Sequence, residues 1–222
     1  DHQQKCETKP GEIAVAARLE HPRILPVHDH GETSDGLLSY SMPYVQGETL
    51  RERLKRERCL PLADAIRIAR EVASALHYAH GAGYMHRDVK PDNIMVSAKD
   101  DVLLADFGIA RPLGRADRVD GVADSAPARA MPATTTTGFV VGSPQYMSPE
   151  QVGGDASLDA RTDQYSLGTV LYEMLAGEPP FGGRSAGAVV TKMFASAAPS
   201  VRELRPDVPV AVDGAITRAL SR

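Results

Sequence analysis

The chain has 222 residues, with 25 Lys and Arg against 29 Asp and Glu and a formal net charge of −4. Apolar residues make up 42% and charged residues 24%, which is enough to bury a sizeable core as one large domain or two small ones. No apolar run of about 18 residues is present to cross a membrane, Asp1–Lys5 lacks the apolar core of a secretory signal, and the mildly acidic balance argues against a dedicated nucleic-acid binder. Cys6 and Cys59 cannot form a disulfide framework, so a reducing compartment is the default.

Gly11–Leu19 is predicted as a short helix, ended by His21-Pro22 because a residue before proline is pushed out of the α region. Ile24–His28 and Leu37–Val45 are predicted strands around a turn at Gly31–Gly36. Thr49–Arg58 is predicted as a short charged helix. Its basic residues from Arg51 to Arg58 have Glu52 and Glu57 between them, which reads as a solvated face. The long helix begins near Pro61, with Leu62, Ala65, Ile66, Ala69, Val72, Ala73, Leu76 and Ala79 at helical spacing, and Gly81 and Gly83 end it. Ile94–Val96 and Val102–Ala105 are predicted to form a small hairpin.

Pro112–Thr137 contains no aromatic residue and is rich in Ala, Pro, Arg and Asp, the composition of a functional or disordered loop. Gln164–Ala176 returns to a strong apolar stripe, and Ala186–Ala195 and Val212–Leu220 are predicted helices. No internal repeat occurs. Strands come early and helices late, which makes the expected fold class α+β. His28-x-His30 and His77-x-x-His80 lack a third ligand and read as ordinary histidines.

Three motifs carry chemistry. His86-Arg87-Asp88-Val89-Lys90-Pro91-Asp92-Asn93 lies between the long helix and the hairpin, Asp106-Phe107-Gly108 closes the hairpin, and Gly142–Glu150 follows the polar loop. Together they resemble the eukaryotic-type (Hanks-type) serine/threonine protein kinases of bacteria, over essentially the whole chain. The resemblance implies a two-lobe kinase-like fold. Residues 1–45 would form a partial small lobe and hinge, and 46–222 the large lobe, with an activation loop over 106–150.

The residue types suit phosphoryl transfer, which needs an oriented hydroxyl and a sink for phosphate charge but little covalent chemistry. By resemblance, Asp88 orients the substrate hydroxyl, Lys90 places positive charge beside the phosphoryl group, and Asn93 and Asp106 are oxygen ligands for Mg²⁺. Lys90 also resembles the mark of serine/threonine specificity. Glu12 resembles the helix glutamate that pairs with an ATP-holding lysine. Met42 resembles the gatekeeper, and Pro43 to Val45 the adenine edge. Arg87, Thr135 and Thr137 resemble the elements of a switch set by activation-loop autophosphorylation. Ser143 and Glu150 belong to the substrate loop. His86, Phe107, Gly108 and Asp163 are implied as structural, with Asp163 bonding the backbone of the catalytic loop.

The cofactors implied are ATP and Mg²⁺, and the partners are proteins with Ser or Thr hydroxyls. A kinase-domain dimer is compatible, while no nucleic acid is expected. The expected location is cytoplasmic, with room for a membrane anchor beyond Arg222. The chain also departs from the family pattern. No Gly-x-Gly-x-x-Gly occurs, Lys5 and Lys9 lie too close to Glu12 to serve as the strand lysine, and no later helix supplies an arginine for Glu150. Both ends read as cut, and the chain as it stands is expected to transfer phosphate poorly. The alternative is a non-catalytic kinase-like binding module. A small-molecule phosphotransferase is disfavoured by the peptide-loop resemblance of Gly142–Glu150.

Overall fold

The computed structural model describes residues 19–32, 38–107, 111–112, 143–155, 157–183 and 185–221; for 29–32, 38–40 and 111–112 it describes the backbone alone. The expected helix Gly11–Leu19 lies outside these residues except for Leu19 itself, so Glu12 is not among them. Gly108, Thr135, Thr137 and the polar loop from residue 113 onward also lie outside them.

The segment expected as strand Ile24–His28 is not a strand. Ile24 makes a single parallel bridge to Leu104, Leu25 N–H donates to the Leu104 carbonyl at 2.9 Å, and Leu104 N–H donates to the Arg23 carbonyl at 2.8 Å. Pro26 has no N–H to continue a ladder. The ladder starts later, with β1 (Asp29–Glu32) antiparallel to β2 (Leu38–Ser41). β2 ends before Pro43 for the same reason, short of the predicted Val45.

β3 (Gly47–Thr49) is not legible in the sequence, since it has no apolar residue to alternate. It leads into α1 (Leu50–Glu57), whose N-cap Thr49 forms a reciprocal capping box with Glu52. α2 (Leu62–Gly81) buries Ala65, Ala69, Val72, Leu76 and Ala79 as expected from their spacing, but the buried face is turned toward Ile68 and Ala75, while Leu62 and Ile66 are only partly buried and Ala73 is exposed. β4 (Tyr84–Met85) follows, then a 3₁₀ turn at Pro91–Asn93, then the expected hairpin β5 (Ile94–Ser97) and β6 (Val102–Leu104). β3, β5 and β6 form one antiparallel sheet in that order, and β4 pairs with β7 (Arg111–Pro112).

Gly47 sits where β3 comes closest to β5. A Cβ there would lie 2.2 Å from the Val96 carbonyl oxygen, a backbone atom that cannot step aside. Gly47→Ala is expected to destabilise the fold by about 1–3 kcal/mol through overpacking, read as a lower denaturation midpoint at unchanged slope.

The second half is helical. α3 (Pro149–Gly153) is capped by Ser148, and α4 (Ala160–Ala176) starts at N-cap Asp159, earlier than the predicted Gln164. α5 (Ala186–Ala195), α6 (Val201–Leu204) and α7 (Val210–Ala219) follow. α4 is the central helix: Tyr165, Val170, Tyr172, Met174 and Leu175 are all buried, and so are the polar Thr162, Asp163, Ser166, Thr169 and Glu173. It packs on α2 on one side and α7 on the other. At α7 only glycine fits, because a Cβ on Gly168 would stand 2.8 Å from the Ala219 Cβ. The α+β class is as expected. Among the described residues, no helix is long and apolar enough to cross a membrane.

Candidate active site

The loop from His86 to Asn93 leaves β4 and re-enters the sheet at β5, and α4 reaches up to hold it. Asp163, fully buried, accepts from His86 N–H at 2.9 Å, from Arg87 N–H at 2.7 Å and from His80 Nε2 at 2.7 Å. Burial opposes its ionisation, but the His80 bond and the two backbone N–H groups outweigh it and hold the carboxyl below the usual range. His86 adds a second tie. Asp88 N–H donates to His86 Nδ1 at 3.2 Å, so the ring proton sits on Nε2, which donates to the Ala105 carbonyl at 2.9 Å. The ring packs edge-on against Phe107, with centroids 4.6 Å apart.

This frame brings the charged residues together. Lys90 Nζ lies 2.6 Å from Asp88 Oδ2, with both side chains partly exposed. Asn93, buried, donates from Nδ2 to Asp88 Oδ2 at 3.0 Å and to the Asp88 carbonyl at 2.9 Å. Its amide nitrogen is thereby assigned to Asp88, so Oδ1 is the atom of this side chain that could accept or hold a cation. Ala105 N–H donates to the Asn93 carbonyl at 2.8 Å, so the hairpin register sets Asp106 one residue beyond Asn93's partner. Arg87 and Asp106 have φ of 66° and 62°, a left-handed region that non-glycine residues enter at a cost and that clusters at working sites.

Among the described residues no three His, Cys, Asp or Glu side chains group to hold a metal alone. An amide oxygen and a carboxylate suit a hard cation that completes its shell with phosphate and water. The Ser143 hydroxyl makes no hydrogen bond to Asp88 or Lys90 among the described residues; its carbonyl instead accepts from Tyr146 N–H at 3.1 Å. Glu150 accepts from Thr162 Oγ1 at 2.8 Å, tying α3 to α4. Met42 is 37% exposed, and the segment Met42–Gln46 joins the sheet through Ala98 N–H, which donates to the Gln46 carbonyl at 2.8 Å. A cavity of about 400 Å³ between β3, α1 and the β5–β6 turn is lined by Arg53, Arg56, Glu48 and Glu57 among others, and by none of the candidate catalytic residues.

A model of the protein kinase domain family matches residues 1–211. The chain belongs to the protein kinase domain family. It is 42% identical over 217 residues to serine/threonine-protein kinase pkn3 of Myxococcus xanthus, covering 95% of this chain and 37% of that protein. It is 42% identical over 214 residues to serine/threonine-protein kinase PknB of Mycobacterium leprae, covering 95% and 32%. Against PknB of Mycobacterium tuberculosis it is 47% identical over 177 residues, covering 78% and 26%. The chain therefore spans roughly a third of the length of these relatives or less. The family works with ATP and a divalent cation.

The kinase domain holds two features that its sequence does not reveal. His80, an ordinary histidine by sequence, is the third donor to Asp163. Arg51, expected on a solvated face, reaches inward: NH1 donates to Glu173 Oε1 at 2.8 Å, Nε to Asp92 Oδ2 at 3.3 Å, and NH2 to the Tyr146 hydroxyl. Tyr146 in turn donates to Glu173 Oε2 at 2.6 Å. Burial and the Glu173 carboxylate push the Tyr146 hydroxyl well above the usual phenol range, which keeps it a donor. Burial works against the charge on Arg51, yet Tyr146 and Glu173 outweigh it. The network ties α1, the Asp92 turn, the Ser143–Ser148 segment and α4 to one another. Nothing in the sequence signals the network: Glu173 lies off the apolar stripe of Leu167, Val170, Leu171, Met174 and Leu175, where a charge is expected to face water, and it is buried because α4 is packed on more than that one face.

Proposed function

We propose that this chain is the catalytic domain of a serine/threonine protein kinase, transferring the γ-phosphate of ATP, with Mg²⁺, to Ser and Thr hydroxyls of proteins. The observation that carries the reading is the cluster at Asp88, whose carboxylate meets the Lys90 ammonium at 2.6 Å and the Asn93 amide at 3.0 Å. In this reading Asp88 orients the attacking hydroxyl, and Lys90 offsets charge on the phosphoryl group in flight. Asn93 and Asp106 would hold Mg²⁺. Val45 would donate its backbone N–H at the adenine edge, with Met42 and Pro43 beside it and Glu12 on the phosphate side. Ser143 and Glu150 would frame the peptide, and Arg87 would receive a phosphate placed on Thr135 or Thr137. The relatives' names and the Asp88 cluster favour catalysis over a non-catalytic binding module.

The test is transfer from radiolabelled ATP to matched Ser, Thr and Tyr peptides by the full chain. Weak label on the Ser and Thr peptides, absent from Tyr and abolished by chelating Mg²⁺, is expected of this chain, which carries no Gly-x-Gly-x-x-Gly to clamp the phosphates. ATP binding without transfer to any peptide would favour the binding module instead.

A further inference from the structure

Gln151 is the second residue after the Ser-Pro of α3's start, and its side chain works in two directions. Its Oε1 accepts from Ser148 N–H at 3.0 Å, completing the capping box of α3. Its Nε2 donates to the Arg87 carbonyl at 2.8 Å, across 64 positions of sequence. A cap needs only the oxygen. The nitrogen is aimed at the loop that carries Asp88.

The peptide that Gln151 reaches is the one joining Arg87 to Asp88. Its carbonyl oxygen is held by Gln151 Nε2, and its N–H, that of Asp88, is held by His86 Nδ1 at 3.2 Å. The preceding N–H, that of Arg87, is held by Asp163 at 2.7 Å. Arg87 sits at φ 66°, a conformation that its side chain disfavours and that its surroundings must impose. Of these contacts, the Gln151 bond alone comes from α3, the helix that follows the substrate loop.

We infer that Gln151 is a positioning residue, which fixes the Arg87–Asp88 peptide plane and so couples the seating of α3 to the aim of the Asp88 carboxylate. The inference rests on the kinase reading above and deepens it. When α3 is seated, Asp88 points at its target; when α3 shifts, the carbonyl loses its donor and the strained Arg87 backbone can relax. A displacement of about 1 Å at a catalytic group is enough to lower a rate by about a hundredfold.

The substitution Gln151→Glu separates the two jobs. It keeps an oxygen for Ser148 N–H, since Glu serves as well as Gln in a capping box. It removes the donor and sets a second carboxylate oxygen against the Arg87 carbonyl. In the full chain, kcat is expected to fall about ten- to hundredfold with KM for ATP unchanged and the melting temperature close to native. Hydrogen exchange at the Asp88 amide is expected to speed up. Gln151→Met, which loses both bonds, is expected to lower melting temperature and kcat together. Turnover within about twofold of native in Gln151→Glu, or a loss that only tracks a fall in melting temperature, would overturn the inference and leave the kinase reading standing. A native chain that transfers no phosphate even at high enzyme concentration would instead overturn the kinase reading, and exchange at the Asp88 amide would still decide whether Gln151 clamps the loop.

Discussion

Asp88→Asn is expected to lower phosphate transfer by about a thousandfold, with KM for ATP nearly unchanged. The carboxylate is surrounded by donors on one side. Lys90 Nζ and Asn93 Nδ2 both point at Oδ2, so an amide introduced here must keep its oxygen at that position. Its NH₂ then replaces Oδ1, the oxygen left to face a substrate hydroxyl. A hydroxyl that met an acceptor now meets a donor, and its proton is no longer drawn away from the attacking oxygen. The shape and the fold survive, because the two existing bonds are kept. Steady-state kinetics with a Ser peptide is the measurement, and retention of more than about a tenth of native turnover would sink the role given to Asp88.

Asp163→Ala carries the largest expected effect on stability. It strips the acceptor from His86 N–H, Arg87 N–H and His80 at once, in a site with no solvent exposure. Breaking such a buried, charged hydrogen-bonded group costs about 3–5 kcal/mol, a large share of the about 5–15 kcal/mol that holds a typical domain together. Asp163→Asn keeps one acceptor for three donors and should fall between the two. The native carboxyl has a lowered pKa, so its contribution is present above the unfolded-state value and is lost as pH falls through the folded one. Denaturation midpoints are therefore expected to drop steeply below about pH 4 in the native chain and less steeply in Asp163→Asn. A midpoint for Asp163→Ala equal to native at neutral pH would refute this account.

Much of the framework is legible in the order of residues. The spacing of Ala65, Ala69, Val72, Leu76 and Ala79 marks α2 and most of its buried face, and the two apolar runs around Ser97–Asp101 mark the β5–β6 hairpin. Errors gather at the early strands, where Pro26 and Pro43 interrupt runs whose composition alone favours a ladder. β3 escapes notice because its pairing with β5 is a matter of backbone bonds, with a glycine at the point of closest approach.

Chain order alone is enough to assemble the chemistry: Asp88, Lys90, Asn93 and Asp106 are the right groups at short spacing, and their motif names the family. A loop of eight residues gathers Asp88, Lys90 and Asn93, and the hairpin register sets the Asp106 backbone one residue beyond Asn93's partner. What holds them in place comes from contacts far apart along the chain, and these appear only once the helices have packed. Gln151 meets Arg87 across 64 positions, His80 meets Asp163 across 83, and Arg51 meets Glu173 across 122. Apolar periodicity tells which face of a helix turns inward, because burial depends on the whole face. It cannot tell which distant polar group a given Arg, His or Gln will meet, because most such residues are equally content in water. The partner is chosen only when α4 is buried and its Asp163 and Glu173 must find donors.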